Sequence, residues 1–152
     1  MRSAMKPLVA LGWAGWVLGA APTLAADALA AFAVENQAIG APLAGVAGDA
    51  AAGRALLLAR DPANCVLCHA LPDPELRFAG DVGPPLAGAG ARLSAPELRL
   101  IVVDQSRRNP QTVMPSYYRI DGLARVASQW RDKPILTARQ VEDIVAYLAT
   151  LK

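Results

Sequence analysis

The run Cys65-Val66-Leu67-Cys68-His69 constrains this chain more than any other feature of its 152 residues. It gathers both cysteines and the only histidine of the sequence into one short segment. Chemistry that needs several histidines, or a second cysteine pair, is excluded at once. A structural zinc tetrahedron finds three ligands here and no second cysteine–histidine pair to close it. A thioredoxin-like redox pair calls for a βαβ setting, and no segment of this chain alternates as half-buried strands do. A disulfide across two intervening residues closes too short a loop to constrain the fold much.

Two thiols at this spacing, followed at once by an imidazole, fit the attachment of a c-type haem. The spacing lets Cys65 and Cys68 add to the two vinyl groups on one edge of the porphyrin, and His69 then reaches the iron from one face. One covalently attached haem c is the expected cofactor. The second axial position needs another donor, and lysine or an open position are alternatives to a thioether. Beyond the first 25 residues Met114 is the only methionine. A lone methionine often fills a core, but Met114 lies in a loop flanked by Asn109-Pro110 and Pro115, a poor place for filler. Methionine–histidine ligation is a common arrangement in such proteins, so Met114 is the expected second axial ligand. A thioether favours Fe(II), which biases the couple towards a raised potential. Two protein ligands leave no open coordination site, so electron transfer is expected and no catalytic residue is assigned.

Residues 1–25 have the three-part layout of a secretory signal peptide. Arg2 and Lys6 form the basic end, Pro7 to Ala21 an uncharged and mostly apolar run, and Thr23-Leu24-Ala25 a small-residue cleavage site. Cleavage near Ala25 would leave the protein in the periplasm, without stable membrane insertion. The alternative is an uncleaved anchor, because the uncharged stretch approaches the roughly 20 residues that a span needs. Without Arg2 and Lys6 the chain holds 13 basic against 13 acidic side chains. With 54% hydrophobic and 18% charged residues, it is neither disordered nor an electrostatic binder of nucleic acid.

Residues 26–48, rich in Ala, Gly and Pro, read as an irregular arm whose Phe32, Val34, Ile39 and Leu43 are able to dock on a surface. The domain proper spans 49–152. Asp49 caps a helix reaching about Arg60. Ser94-x-x-Glu97 and Thr137-x-x-Gln140 are capping boxes; the first opens a helix to about Val103 and the second the last helix. In that last helix Val141, Ile144, Val145 and Leu148 define one buried face. The fold class is therefore all-α, with three to four short helices. Loops as long as those between them need something to organise them, and a buried haem does so.

The order of elements resembles that of class I cytochromes c: helix, Cys-x-x-Cys-His, Gly-Pro segment, methionine loop, terminal helix. That resemblance implies the class I cytochrome c fold wrapped around one haem, with Gly53 and Leu57 of the first helix crossing Ile144 and Tyr147 of the last. Gly83-Pro84-Pro85-Leu86 is similar to the family's Gly-Pro-x-Leu. By that likeness the carbonyl of Pro84 accepts the hydrogen bond from the axial histidine's other nitrogen. Tyr117, Tyr118 and Trp130 are expected as haem packing or core, and Arg119 on the surface. Basic residues outnumber acidic ones from Arg99 to Lys133, which suits either solvated loops or a docking surface.

Three segments carry a narrower likeness. Asn64-Cys65-x-x-Cys68-His69-Ala70, Asn109-Pro110-x-Thr112-Val113-Met114-Pro115-Ser116-Tyr117-Tyr118-Arg119 and Lys133-Pro134-x-Leu136-Thr137 resemble the SoxX family, over about Asp49 to Lys152. These are the monohaem subunits of the thiosulfate-oxidising SoxAX complex. The resemblance implies a heterodimer with a SoxA-like haem subunit that carries the active site. It implies that the complex oxidatively joins thiosulfate to a cysteine of the SoxYZ carrier, an L-cysteine S-thiosulfotransferase reaction. The SoxX subunit then accepts electrons from SoxA and passes them to a downstream cytochrome c. The alternative is a freestanding periplasmic electron carrier with no enzyme partner.

Overall fold

Asp49 ends the arm and opens the first helix, α1 (Ala50–Leu58), by accepting the amide hydrogens of Ala51 at 2.7 Å and Ala52 at 3.3 Å. This computed structural model describes residues 29–152; the expected signal peptide, residues 1–25, lies outside the described residues. Helix α1 stops at Leu58, short of Arg60, because the backbone is already extended at Ala59. A loop follows that contains a single 3₁₀ turn, Cys65–Leu67. It leads to a one-turn helix, α2 (Ala89–Arg92), entered from Gly88 at a φ of +67°. The left-handed backbone there suits glycine, which has no Cβ to clash.

Helix α3 (Ala95–Asp104) begins where the Glu97 carboxylate accepts the Ser94 amide at 2.9 Å and the Ser94 hydroxyl at 2.8 Å. It tightens into a 3₁₀ turn over Gln105–Arg107. A long loop, interrupted by the turn Ser128–Trp130, then reaches α4 (Ala138–Thr150). The Thr137 capping box is reciprocal: its amide donates to Gln140 Oε1 at 2.9 Å, and its hydroxyl accepts from the Gln140 amide at 3.2 Å. Two otherwise unsatisfied donors at the helix start are thereby paired. Among the described residues there is no strand, only an isolated bridge between Glu35 and Ala38. No helix among them is long and apolar enough to cross a membrane.

Helix α4 organises the core. Val141, Ile144, Val145 and Leu148 are all buried, and α4 packs most extensively on α1, then on α3. At the α1 crossing, a Cβ on Gly53 would run into the carbonyl of Asp143 and crowd the amide of Ile144. Glycine is thus required by close backbone approach. The arm is part of the same core. Ile39 and Leu43 are buried, with Phe32 and Val34 packed against the cluster. The Ile39 amide donates to the Pro96 carbonyl at 3.0 Å, which fastens the arm to the start of α3.

Candidate haem site

Asn64, at a φ of +49°, turns the chain sharply into the 3₁₀ turn. Asparagine tolerates this left-handed conformation better than most residues. Within the turn the Cys68 and His69 amides both donate to the Cys65 carbonyl, at 3.1 and 3.0 Å. Cys65, Cys68 and His69 are thereby presented to one cavity of about 560 Å³. Its apolar lining includes Leu86, Leu98, Ile101, Val102 and Leu148, and Pro84 and Met114 line it as well. Residues separated by nearly 50 positions thus converge on one apolar chamber, within the roughly 300–1,000 Å³ typical of cofactor sites. Neither cysteine is in a disulfide. Burial pushes the Cys65 thiol up to about 11, so before any attachment it is a neutral thiol at pH 7.

The segment after the motif folds back along it. Gly80 donates to the Val66 carbonyl at 2.9 Å, Gly83 to Cys68 at 2.8 Å and Leu86 to Ala70 at 2.8 Å. This pairing brings the Pro84 carbonyl oxygen to 2.8 Å from His69 Nδ1. A carbonyl can only accept, so Nδ1 carries the proton and Nε2 keeps its lone pair for a metal. A Cβ on Gly83 would run into the imidazole ring, which makes Gly83 the floor on which the ring lies.

Met114 is held from its C-terminal side. Tyr117 is buried and donates from its hydroxyl to the Ala63 carbonyl at 3.1 Å, tying the methionine loop to the residues just before Cys65. That burial also raises the Tyr117 phenol above its ordinary value. The Leu136 amide donates to the Tyr117 carbonyl at 3.0 Å, so the Lys133–Thr137 segment braces the same loop. Tyr118 is buried too, whereas Trp130 is half-buried outside this cavity, beneath the Lys133 ammonium at 5.7 Å.

Two residues behind the methionine loop, neither of them lining the cavity, have roles that were not apparent from the sequence. Asp104, at the end of α3, accepts the Ser116 hydroxyl at 2.6 Å and lies 3.2 Å from Arg119 Nη1. Arg119, expected on the surface, is instead the ion partner of this fully buried carboxylate. One signal did exist: a negative charge at a helix C-terminus opposes the macrodipole and so calls for a local partner.

The cavity tests well against a haem. Its lining is apolar, as the macrocycle requires. Two thiols, an imidazole with its metal-binding nitrogen free and a thioether line it, which are the donor types that attachment and axial ligation of a haem would need. A sequence model of the cytochrome c family matches residues 50–152. The chain belongs to the cytochrome c family, with the all-α class I fold and covalently bound haem c, and Cys65 and Cys68 fit its attachment motif. Among solved structures it is similar to a chain of SoxXA from P. pantotrophus, at 36% identity and a TM-score of 0.74, over 80% of this chain and 94% of that one. That likeness supports a SoxX-like cytochrome. No curated protein matches the chain.

Proposed function

We propose that this chain is the monohaem electron-transfer subunit of a periplasmic SoxAX-type complex. The likeness to SoxXA carries the reading: 36% identity over 94% of that chain goes beyond what a shared fold alone accounts for. In this reading residues 1–25 are a signal peptide cleaved near Ala25, 26–48 the arm and 49–152 the cytochrome domain. Cys65 and Cys68 hold the haem as thioethers, His69 and Met114 are its axial ligands, and the Pro84 carbonyl orients His69. When bound, the haem supplies a one-electron Fe(III)/Fe(II) couple.

The chain's own residues set the terms of that couple. Pro84 keeps the His69 proton on Nδ1. Leu98, Ile101 and Val102 help to keep water from the chamber, and Tyr117 holds the methionine loop to the attachment segment. Both cysteines are committed to attachment, so no thiol remains to form a sulfur adduct. The sulfur chemistry therefore belongs to a SoxA-like partner, with a SoxYZ-type carrier as substrate protein. This subunit accepts electrons from that partner and delivers them to a downstream cytochrome c.

The test is purification of the native protein from the periplasm of cells grown on thiosulfate. The expected result is a stoichiometric second haem protein in the same peak, with haem reduction that depends on thiosulfate and a carrier. A protein eluting alone, reduced by a respiratory donor and indifferent to thiosulfate, would make it a freestanding electron carrier.

A further inference from the structure

Met114 has a loose side and a fixed side. On its N-terminal side every hydrogen bond is local. The Met114 amide donates to Thr112 Oγ1 at 3.1 Å, the Thr112 amide to the Asn109 carbonyl at 3.1 Å, and the Gln111 amide to Asn109 Oδ1 at 3.0 Å. Val113 is 80% exposed. On the C-terminal side the chain is fastened to distant elements. The Tyr118 amide donates to the Val103 carbonyl at 3.2 Å, and Tyr117 reaches Ala63. The fastening nearest to Met114 is the hydroxyl of Ser116 on Asp104 Oδ1, at 2.6 Å.

Asp104 is itself immobilised. Its side chain is buried, and the same Oδ1 accepts the Ser106 amide at 3.2 Å and the Ser106 hydroxyl at 2.6 Å. Arg119 and Arg107 flank Oδ2 at 3.2 and 3.4 Å. Short bonds to a charged acceptor are about twice as strong as neutral ones, and the acceptor carboxylate is buried although the serines are only half-buried.

We infer that Asp104 and Ser116 are positioning residues for Met114: by fixing the backbone two residues beyond it, they hold its thioether in the cavity against displacement. This inference rests on Met114 as the second axial ligand, proposed above. The 109–113 excursion has no long-range hydrogen bond to hold Met114 in place, so the burden falls on the Asp104–Ser116 bond. Without that bond Pro115 is free to follow the excursion outwards, and an exogenous ligand competes more easily with the sulfur. Tyr117 and Tyr118 still retain the rest of the loop, so the effect is on ligation more than on folding.

The experiment is an imidazole titration of the Fe(III) holoprotein, followed by loss of the long-wavelength sulfur-to-iron charge-transfer band. Ser116→Ala and Asp104→Asn are expected to bind imidazole at least about tenfold more tightly than the unsubstituted protein, equivalent to about 1.4 kcal/mol. Ser116→Thr keeps the hydroxyl and is expected to titrate like the unsubstituted protein. So is Arg54→Gln, which breaks a salt bridge elsewhere and controls for general destabilisation. Unchanged imidazole affinity in Ser116→Ala overturns the inference while leaving Met114 as ligand, and this variant decides alone if Asp104→Asn does not fold. If the unsubstituted holoprotein lacks the band, the Met114 assignment itself falls, and the inference with it.

Discussion

The Arg99 guanidinium and the Glu142 carboxylate meet in the interior as a bidentate pair, Nε to Oε1 at 2.8 Å and Nη2 to Oε2 at 2.9 Å. Both partners also grip the arm. Arg99 Nη1 donates to the Ile39 carbonyl at 2.7 Å, and Glu142 Oε1 accepts the Leu43 amide at 2.8 Å. The pair therefore joins α3, α4 and the arm at one buried point. Removing one partner of such a pair leaves an uncompensated charge. Glu142→Ala should accordingly cost about 3–5 kcal/mol in denaturant unfolding and open the arm to limited proteolysis near Gly40. The double change Arg99→Met with Glu142→Leu should recover only part of the stability: it leaves no orphaned charge, but the Ile39 carbonyl and the Leu43 amide lose their partners. A loss under about 1 kcal/mol for Glu142→Ala, the range of an exposed pair, would contradict this reading.

Helix propensity and packing make opposite demands at Gly53. In an isolated helix, Gly53→Ala would gain about 1 kcal/mol. Here the added methyl runs into the Asp143 carbonyl of α4, which is backbone and cannot rotate away. Overpacking of this kind costs about 1–3 kcal/mol, so the substitution should lower the unfolding midpoint. The exposed Ala55, in the interior of the same helix, obeys propensity alone, and Ala55→Gly should destabilise by about 1 kcal/mol. Thermal unfolding of the two variants checks both signs at once.

Legibility in the sequence followed locality. The caps at Asp49, Ser94 and Thr137 each act within three residues, and they correctly opened the three longer helices. Cys65, Cys68 and His69 are nearly contiguous, so their joint presence at one cavity was readable before any fold was known. Helix α2 was not readable, because a single turn of Ala89, Gly90, Ala91 and Arg92 is too short to carry periodicity. Nor were Arg99–Glu142, 43 positions apart, and Asp104–Ser116, 12 apart. Each charge considered alone looks like a solvated one, and only the folded path brings its partner within reach. The arm was underestimated for the same reason, since Ile39 and Leu43 acquire a core to join only once α3 and α4 are packed.

Acid stability should depend on Asp73. Hydrogen bonds from Arg54, Nε to Oδ2 at 2.6 Å and Nη2 to Oδ1 at 2.9 Å, hold this carboxyl below its ordinary range. The unfolded chain titrates at about 3.9. The folded value lies below that, so the stabilisation is complete only above about pH 5 and is lost as pH falls through the folded value. Asp73→Asn removes the titrating group and should flatten the acid limb of stability below about pH 5. Urea midpoints between pH 2 and 6 for both proteins measure this, and parallel curves would remove Asp73 from the account.

Met114→Ala should separate attachment from ligation. Cys65 and Cys68 are untouched, so the protein should still stain for covalent haem after denaturing electrophoresis. The charge-transfer band should vanish, and the reduction potential should fall, because the thioether favours Fe(II). The double variant Cys65→Ala with Cys68→Ala should give no covalently stained band at all. Retention of the charge-transfer band in Met114→Ala would assign the second axial position to another residue.

Gly83 and His69 supply the last expectation. A methyl at position 83 occupies the space of the imidazole ring, so Gly83→Ala forces the ring, the loop or both to move. Either movement stretches the 2.8 Å contact between His69 Nδ1 and the Pro84 carbonyl. That contact increases the basicity of the imidazole towards a metal, which favours Fe(III). Its loss should therefore raise the reduction potential, opposite in direction to Met114→Ala, while covalent haem staining persists. Potentiometric titration of the two variants beside the unsubstituted protein measures both signs. A Gly83→Ala protein with an unchanged potential would mean that the Pro84 carbonyl does not tune His69.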